Sequence, residues 1–126
     1  MDETDYYPTI NEHYRENPPE ETVVWEAKIT KTRRLSFRCL LPHQEEDLLK
    51  AEIVFCYKIP DSGVAKKPFD GFAIVKGVPI FIAIYYKPRK TEIYKIHLRD
   101  FLKEKYESGN KSLTIERARE LSIGTI

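Results

Sequence analysis

The strongest pattern along the chain is the run Val78–Tyr86, VPIFIAIYY, nine positions without a charge. Bounded by Lys76-Gly77 on one side and KPRKT on the other, it predicts a strand buried on both faces and central in a sheet. Four further strands follow from β-branched and aromatic runs: Thr22–Ile29, Ile53–Ile59, Phe69–Val75 and the shorter Glu92–Ile96. Lys76-Gly77 reads as a tight turn that would fold Phe69–Val75 against Val78–Tyr86. Pro42 stands where a helix begins, and HQEEDLLKAE continues it with acids in the first turn, which suits the helix dipole. Two more helices are predicted over His97–Tyr106 and Ile115–Leu121, separated by SGNKS. Leu35–Leu40 reads as extended. PDSGVAKKP, with Pro60, Gly63 and Pro68 as breakers, reads as a loop.

Residues 1–21 lack such a pattern. Pro8, Pro18 and Pro19 punctuate them, and INEHYRE offers only a short helical turn, so this stretch is expected to be a weakly ordered acidic segment. The remainder, 22–126, is expected to form one domain. Its class is α/β, a single mixed β-sheet flanked by helices. With 126 residues and 41% hydrophobic content the chain can bury one real core. No apolar run reaches the roughly 20 residues that span a bilayer, and MDETDYYPT has no signal-peptide layout, so a cytoplasmic protein is expected. Cys39 and Cys56 form no CxxC and have no histidine at zinc spacing, and so read as buried free thiols rather than a metal site.

The net charge of +1 points to no partner, but its distribution does. Residues 1–21 hold seven acids against Arg15 alone, whereas 28–39 hold Lys28, Lys31, Arg33, Arg34 and Arg38 and no acid. Lys66 and Lys67, and then Lys87, Arg89 and Lys90, make two further basic stretches. These would meet phosphates, by backbone and shape rather than by a base-reading helix; the ordinary alternative is three solvated loops.

The chemistry concentrates in WEAKITKTRR. Residues i and i+2 of a strand share a face, so Val24, Glu26 and Lys28 lie together, opposite Val23, Trp25, Ala27 and Ile29. An E-x-K pair is common and most often a solvated pair on a polar face. It also supplies what phosphodiester hydrolysis needs: a carboxylate for a divalent cation and a lysine to orient water or stabilise developing charge. A second carboxylate must come from a neighbouring strand. Asp70, at the start of DGFAIVKG and just after Lys66 and Lys67, is the candidate, although an Asp between a Pro and a Gly is frequently only a turn residue. Asp61 in the ordinary turn PDSG, and Glu12 or Glu16 near the N-terminus, are weaker choices. His43 and His97 have no evident partners.

Three stretches together resemble the PD-(D/E)xK nuclease superfamily, and within it Holliday junction resolvases of the recombination protein U and archaeal types. WEAKITKTRRLSFRCLLPHQEEDL is similar to that family's E-A-K strand, basic loop, S-F segment and helix opening with H-Q. IPDSGVAKKPFDGFAIVKG is similar to the segment around its first metal-binding Asp, and IYKIHLRDFLKEKYESGNKSLTIERAREL to its final strand and small helical part. The resemblance implies a restriction-endonuclease-like fold and a Mg²⁺-dependent endonuclease, with Mn²⁺ as a substitute. Glu26 and Asp70 would be the metal ligands, Lys28 the catalytic lysine and Gln44 a supporting residue. Lys31, Arg33, Arg34, Lys66 and Lys67 would meet DNA. The implied substrate is a four-way junction or other branched DNA, cut by a homodimer, since two symmetric cuts suit a two-fold assembly.

One departure stands out. In the family the Asp strand precedes the E-x-K strand, usually through a short hairpin; here Asp70 follows Glu26. Either the order is permuted, with Thr22–Ile29 packing beside Phe69–Val75, or the hairpin at 69–86 is a decayed copy offering only Ala83 and Tyr85 where acid and lysine would stand. The retained basic loop and H-Q helix favour permutation. The alternatives are a catalytically inactive nucleic-acid-binding member of the same fold, another restriction or repair nuclease, and a scaffold that binds no nucleic acid.

Overall fold

A computed structural model of the chain describes residues 2–53, 55–59, 71–75 and 77–126, with the backbone alone at 55–59 and 71–75. After a 3₁₀ turn over Glu3–Tyr6 the described elements run α1 (Tyr7–Glu16), β1 (Thr22–Thr30), β2 (Arg34–Ser36), a 3₁₀ turn over Phe37–Cys39, α2 (Pro42–Lys50), β3 (Phe55–Ile59), β4 (Gly71–Val75), β5 (Gly77–Tyr85), β6 (Glu92–His97), α3 (Leu98–Glu107), β7 (Ser112–Thr114), α4 (Ile115–Leu121) and β8 (Gly124–Thr125).

Four strands form a mixed sheet in the order β1-β5-β6-β8. The apolar run is its central strand, as its composition requires: β5 pairs parallel with β1 and antiparallel with β6, and Ile80 through Tyr85 are all buried. Pro79 is tolerated there because pairing with β6 begins only at Ile80. The chain is thus α/β, with a mixed four-stranded sheet flanked by helices.

Period-2 alternation divides β5 between two cores. Ile80, Ile82 and Ile84 join Ala27, Ile93 and Ile10 on one side of the sheet. Phe81, Ala83 and Tyr85 join Phe37, Leu40, Leu48, Ile96, Leu98, Phe101 and Leu113 on the other, with Phe81 stacked on Phe101 at 3.9 Å between ring centroids. Helices close both sides. Leu98 and Phe101 of α3 are buried one turn apart, as are Ile115 and Ala118 of α4.

Three expectations are corrected. The segment read as weakly ordered contains the ten-residue helix α1, whose Ile10 is fully buried. Tyr6, Tyr7, Ile10 and Tyr14 recur at helical spacing and pack on the sheet, and Pro8, read as a breaker, sits in the first turn, where a missing N–H costs nothing. Leu35–Leu40 is only briefly extended: Arg34–Ser36 pairs with Ser112–Thr114, and a 3₁₀ turn follows, with Ser36 Oγ accepting from the Arg38 N–H. Lastly, the hairpin across Lys76-Gly77 does not form among the described residues. β4 pairs antiparallel with β3, while the first residue of β5, Gly77, lies opposite Thr22 of β1.

Candidate functional site

Glu26 and Lys28 lie on the same face of β1, as their spacing requires, with Lys28 Nζ 3.5 Å from Glu26 Oε1. Parallel register sets Glu26 beside Phe81 and Lys28 beside Ala83 on β5. Their face is not the solvated one expected for a polar pair. It is the side of the larger core, where Val24 of the same strand packs against the buried cluster. The side chains of Lys28 and Glu26 are only 16% and 30% exposed. Ala83, the smallest buried side chain of β5 on that side, leaves room for the lysine stem, so an acid and a base sit at the margin of an apolar layer and neutralise each other. Holding such a pair partly out of water costs desolvation that a fully exposed pair would escape.

The surroundings are polar but largely engaged. Burial pushes the Cys39 thiol up to about 11, against the pull of the Lys28 and Lys105 ammonium groups, so it stays protonated near neutrality; the Cys56 side chain lies outside the described residues. Gln44 Oε1 accepts the Leu41 N–H at 3.0 Å. The glutamine expected to support catalysis therefore closes the first turn of α2, the half of a capping box that a leucine at the cap position permits. Glu45, buried on the next position, receives Lys105 Nζ and the Tyr106 hydroxyl.

The expected second carboxylate, Asp70, lies outside the described residues, as do Lys66, Lys67 and Asp61. The permuted arrangement that would bring the Asp70 strand beside Glu26 is not found: the described partner of β1 is β5, and β4 pairs with β3. Ala83 and Tyr85, the positions a decayed hairpin would have left, are core residues, the Tyr85 hydroxyl donating to the Leu113 carbonyl at 2.9 Å. Glu12 pairs with Arg15 on the exposed face of α1, and Glu16 is exposed. His43 and His97 are exposed, His97 at the N-cap of α3 without a side-chain capping bond. Among the described residues, no three His, Cys, Asp or Glu side chains group to hold a metal ion. A Mg²⁺ ion can be held by one or two carboxylates with waters and substrate oxygens, so Glu26 fits as one ligand, once Lys28 yields its hold.

Two of the three basic stretches converge among the described residues. The Tyr86 N–H donates to the Thr30 carbonyl at 2.8 Å, so the chain leaves β1 and β5 side by side. Lys31 and Arg33 from one loop and Lys87 from the other line a common small cavity. Arg33 is bonded to Glu116 of α4, while Lys31 and Arg34 are exposed. Arg33–Glu116 was invisible in the sequence because the two residues meet only through the pairing of β2 with β7. The contact of His13 on α1 with Lys95 on β6, Nε2 to Nζ 2.9 Å, was equally invisible, because it arises only from the packing of α1 on the sheet.

Compared with family models, curated proteins and solved structures, the chain matches none of them. Among the described residues no helix is long and apolar enough to cross a membrane.

Proposed function

We propose that the protein is a metal-dependent, structure-selective DNA endonuclease, acting as a homodimer on four-way junctions or other branched DNA. The observation that carries this reading is the Glu26–Lys28 pair, half-buried on the sheet face and a few residues before the loop of Lys31 and Arg33. An acid and a base held together at the edge of a phosphate-binding surface suit hydrolysis of a phosphodiester better than they suit stability, since isolated ion pairs add little. Glu26 and Asp70 would hold the ion, which supplies a water of lowered pKa and neutralises charge at the phosphorus. Lys28, released from Glu26, would donate to a non-bridging phosphate oxygen, and Lys31, Arg33, Arg34, Lys66 and Lys67 would position the strand.

A second reading is a nucleic-acid binder that does not cut. The pairing of β4 with β3 favours it, as does Lys28 lying on the carboxylate that a metal would need. Cleavage of a synthetic four-way junction, against linear duplex, with and without Mg²⁺, separates the two. Paired nicks that need the metal, and that Glu26→Ala and Asp70→Ala each abolish, are the expected result. Tight junction binding without cutting establishes the second reading, and cutting that survives Glu26→Ala removes the first.

A further inference from the structure

β1 and β5 are the parallel pair of the sheet, and their carboxyl ends open onto a cavity of about 80 Å³. Crevices outside the carboxyl ends of parallel strands are where α/β sheets bind ligands. Lys31, Thr32 and Arg33 form one wall, Tyr86 and Lys87 the other. The volume is several times what a single water molecule needs. It is far below the roughly 300 Å³ of the smallest usual organic-ligand pockets. It admits one small polyatomic group.

The charge of the cavity decides which. Of the other described cations, Arg15, Lys50, Arg99, Lys105, Arg117 and Arg119 each have a carboxylate within ion-pair distance, whereas Arg34, Arg38, Arg89, Lys90, Lys95, Lys103 and Lys111 have none. Among the described residues neither Lys31 nor Lys87 has one. The two carboxylates nearby are already engaged, Glu116 by Arg33, and Glu92, which borders the cavity, by Arg119 and the Tyr94 hydroxyl.

Both loops are also held in shape. The Thr30 and Thr32 hydroxyls donate to the Arg34 carbonyl at 2.9 Å each. Thr91 Oγ1 donates to the Lys87 carbonyl at 3.0 Å. Two ammonium groups without a carboxylate partner, on pinned loops that line one small cavity, are preorganised for an anion.

We infer that this notch holds a single phosphate group, a backbone phosphate of the bound nucleic acid, between Lys31 and Lys87, with Thr32 and Tyr86 beside it. The choice of nucleic acid over a free phosphate rests on the proposed function; the phosphate site itself does not. The notch anchors the strand beyond the Glu26–Lys28 pair and sets its register on the sheet, so it governs binding and not the chemical step.

The test has two arms on the full chain. The first measures binding of a labelled junction across a salt series for wild type, Lys31→Ala, Lys87→Ala and Lys103→Ala, the last a control on the exposed side of α3. Each notch variant is expected to weaken binding severalfold and lower the log–log salt slope by about one, with the control unchanged. Equal losses in all three variants, or in none, overturn the notch. The second arm titrates inorganic phosphate into the protein while amide NMR signals are followed. Shifts confined to residues 31–33 and 86–91, and lost in Lys87→Ala, are expected. If wild type binds no junction but those shifts appear, the phosphate site stands and the nucleic-acid reading falls. If neither appears, both fall.

Discussion

At the residue scale the molecule places charged groups where neighbours decide their state. His13 is the clearest case. An ammonium can donate to an imidazole only if the ring nitrogen keeps its lone pair, so the Lys95–His13 bond requires neutral histidine. Burial, followed by the Lys95 charge, lowers the His13 pKa, while Glu16 raises it slightly; Tyr14 lies against the imidazole and under Lys95. A histidine whose folded pKa lies below its unfolded value of about 6.5 contributes no penalty above that pH. As the pH falls below it, the unfolded chain takes up the proton first and stability is lost, until the folded form also protonates. Thermal melts from pH 7.5 to 5.5 should show this fall for wild type. His13→Gln, which keeps an acceptor for Lys95 and cannot titrate, should flatten the profile; an unchanged slope would mean that other groups carry it.

At the element scale α1 matters most, because its place in the fold runs against its composition. Three prolines and seven acids in residues 1–21 suggest a solvated tail, yet Ile10 enters the core with Ala27, Ile80 and Ile82, and Tyr7 meets Trp25 edge-on at 5.2 Å. The burial of one apolar stripe outweighs the charges, which stay on the outer face. Ile10→Ala is expected to cost about 2–5 kcal/mol in urea unfolding, from lost transfer energy plus the cavity left behind. A cost below roughly 1 kcal/mol would mean that α1 docks without supporting the sheet.

At the scale of the whole molecule, contacts between distant segments tie the layers together. Glu45 of α2 is buried, 8% exposed, with Lys105 and the Tyr106 hydroxyl of α3 on its carboxylate and Lys105 also on the Leu40 carbonyl. Removing one partner leaves a buried charge, so Lys105→Met is expected to cost about 3–5 kcal/mol. The double variant Lys105→Met, Glu45→Leu should recover much of that loss by equilibrium unfolding. Additive losses would show that Lys105 acts through its bond to Leu40 rather than through Glu45.

Three of the four sheet strands and three of the four α-helices were legible in local patterns, among them the uncharged run of β5, the alternating β1 and Pro42 at the start of α2. Each is a short-range property, carried by residues a few positions apart. The E-x-K pair was legible for the same reason, since strand geometry alone puts Glu26 and Lys28 on one face. Which face it is, and what stands beside it, was not legible. Pairing β1 with β5 rather than with β4 depends on how nearly fifty intervening residues return the chain, and on burying an all-apolar β5 between two strands. The sequence by itself determined most of the elements, the class and the acid–base pair. Only the tertiary structure decided that the pair borders the larger core, that Gln44 caps a helix, and that Lys31 and Lys87 face one notch, because those facts are contacts between segments that no local period encodes.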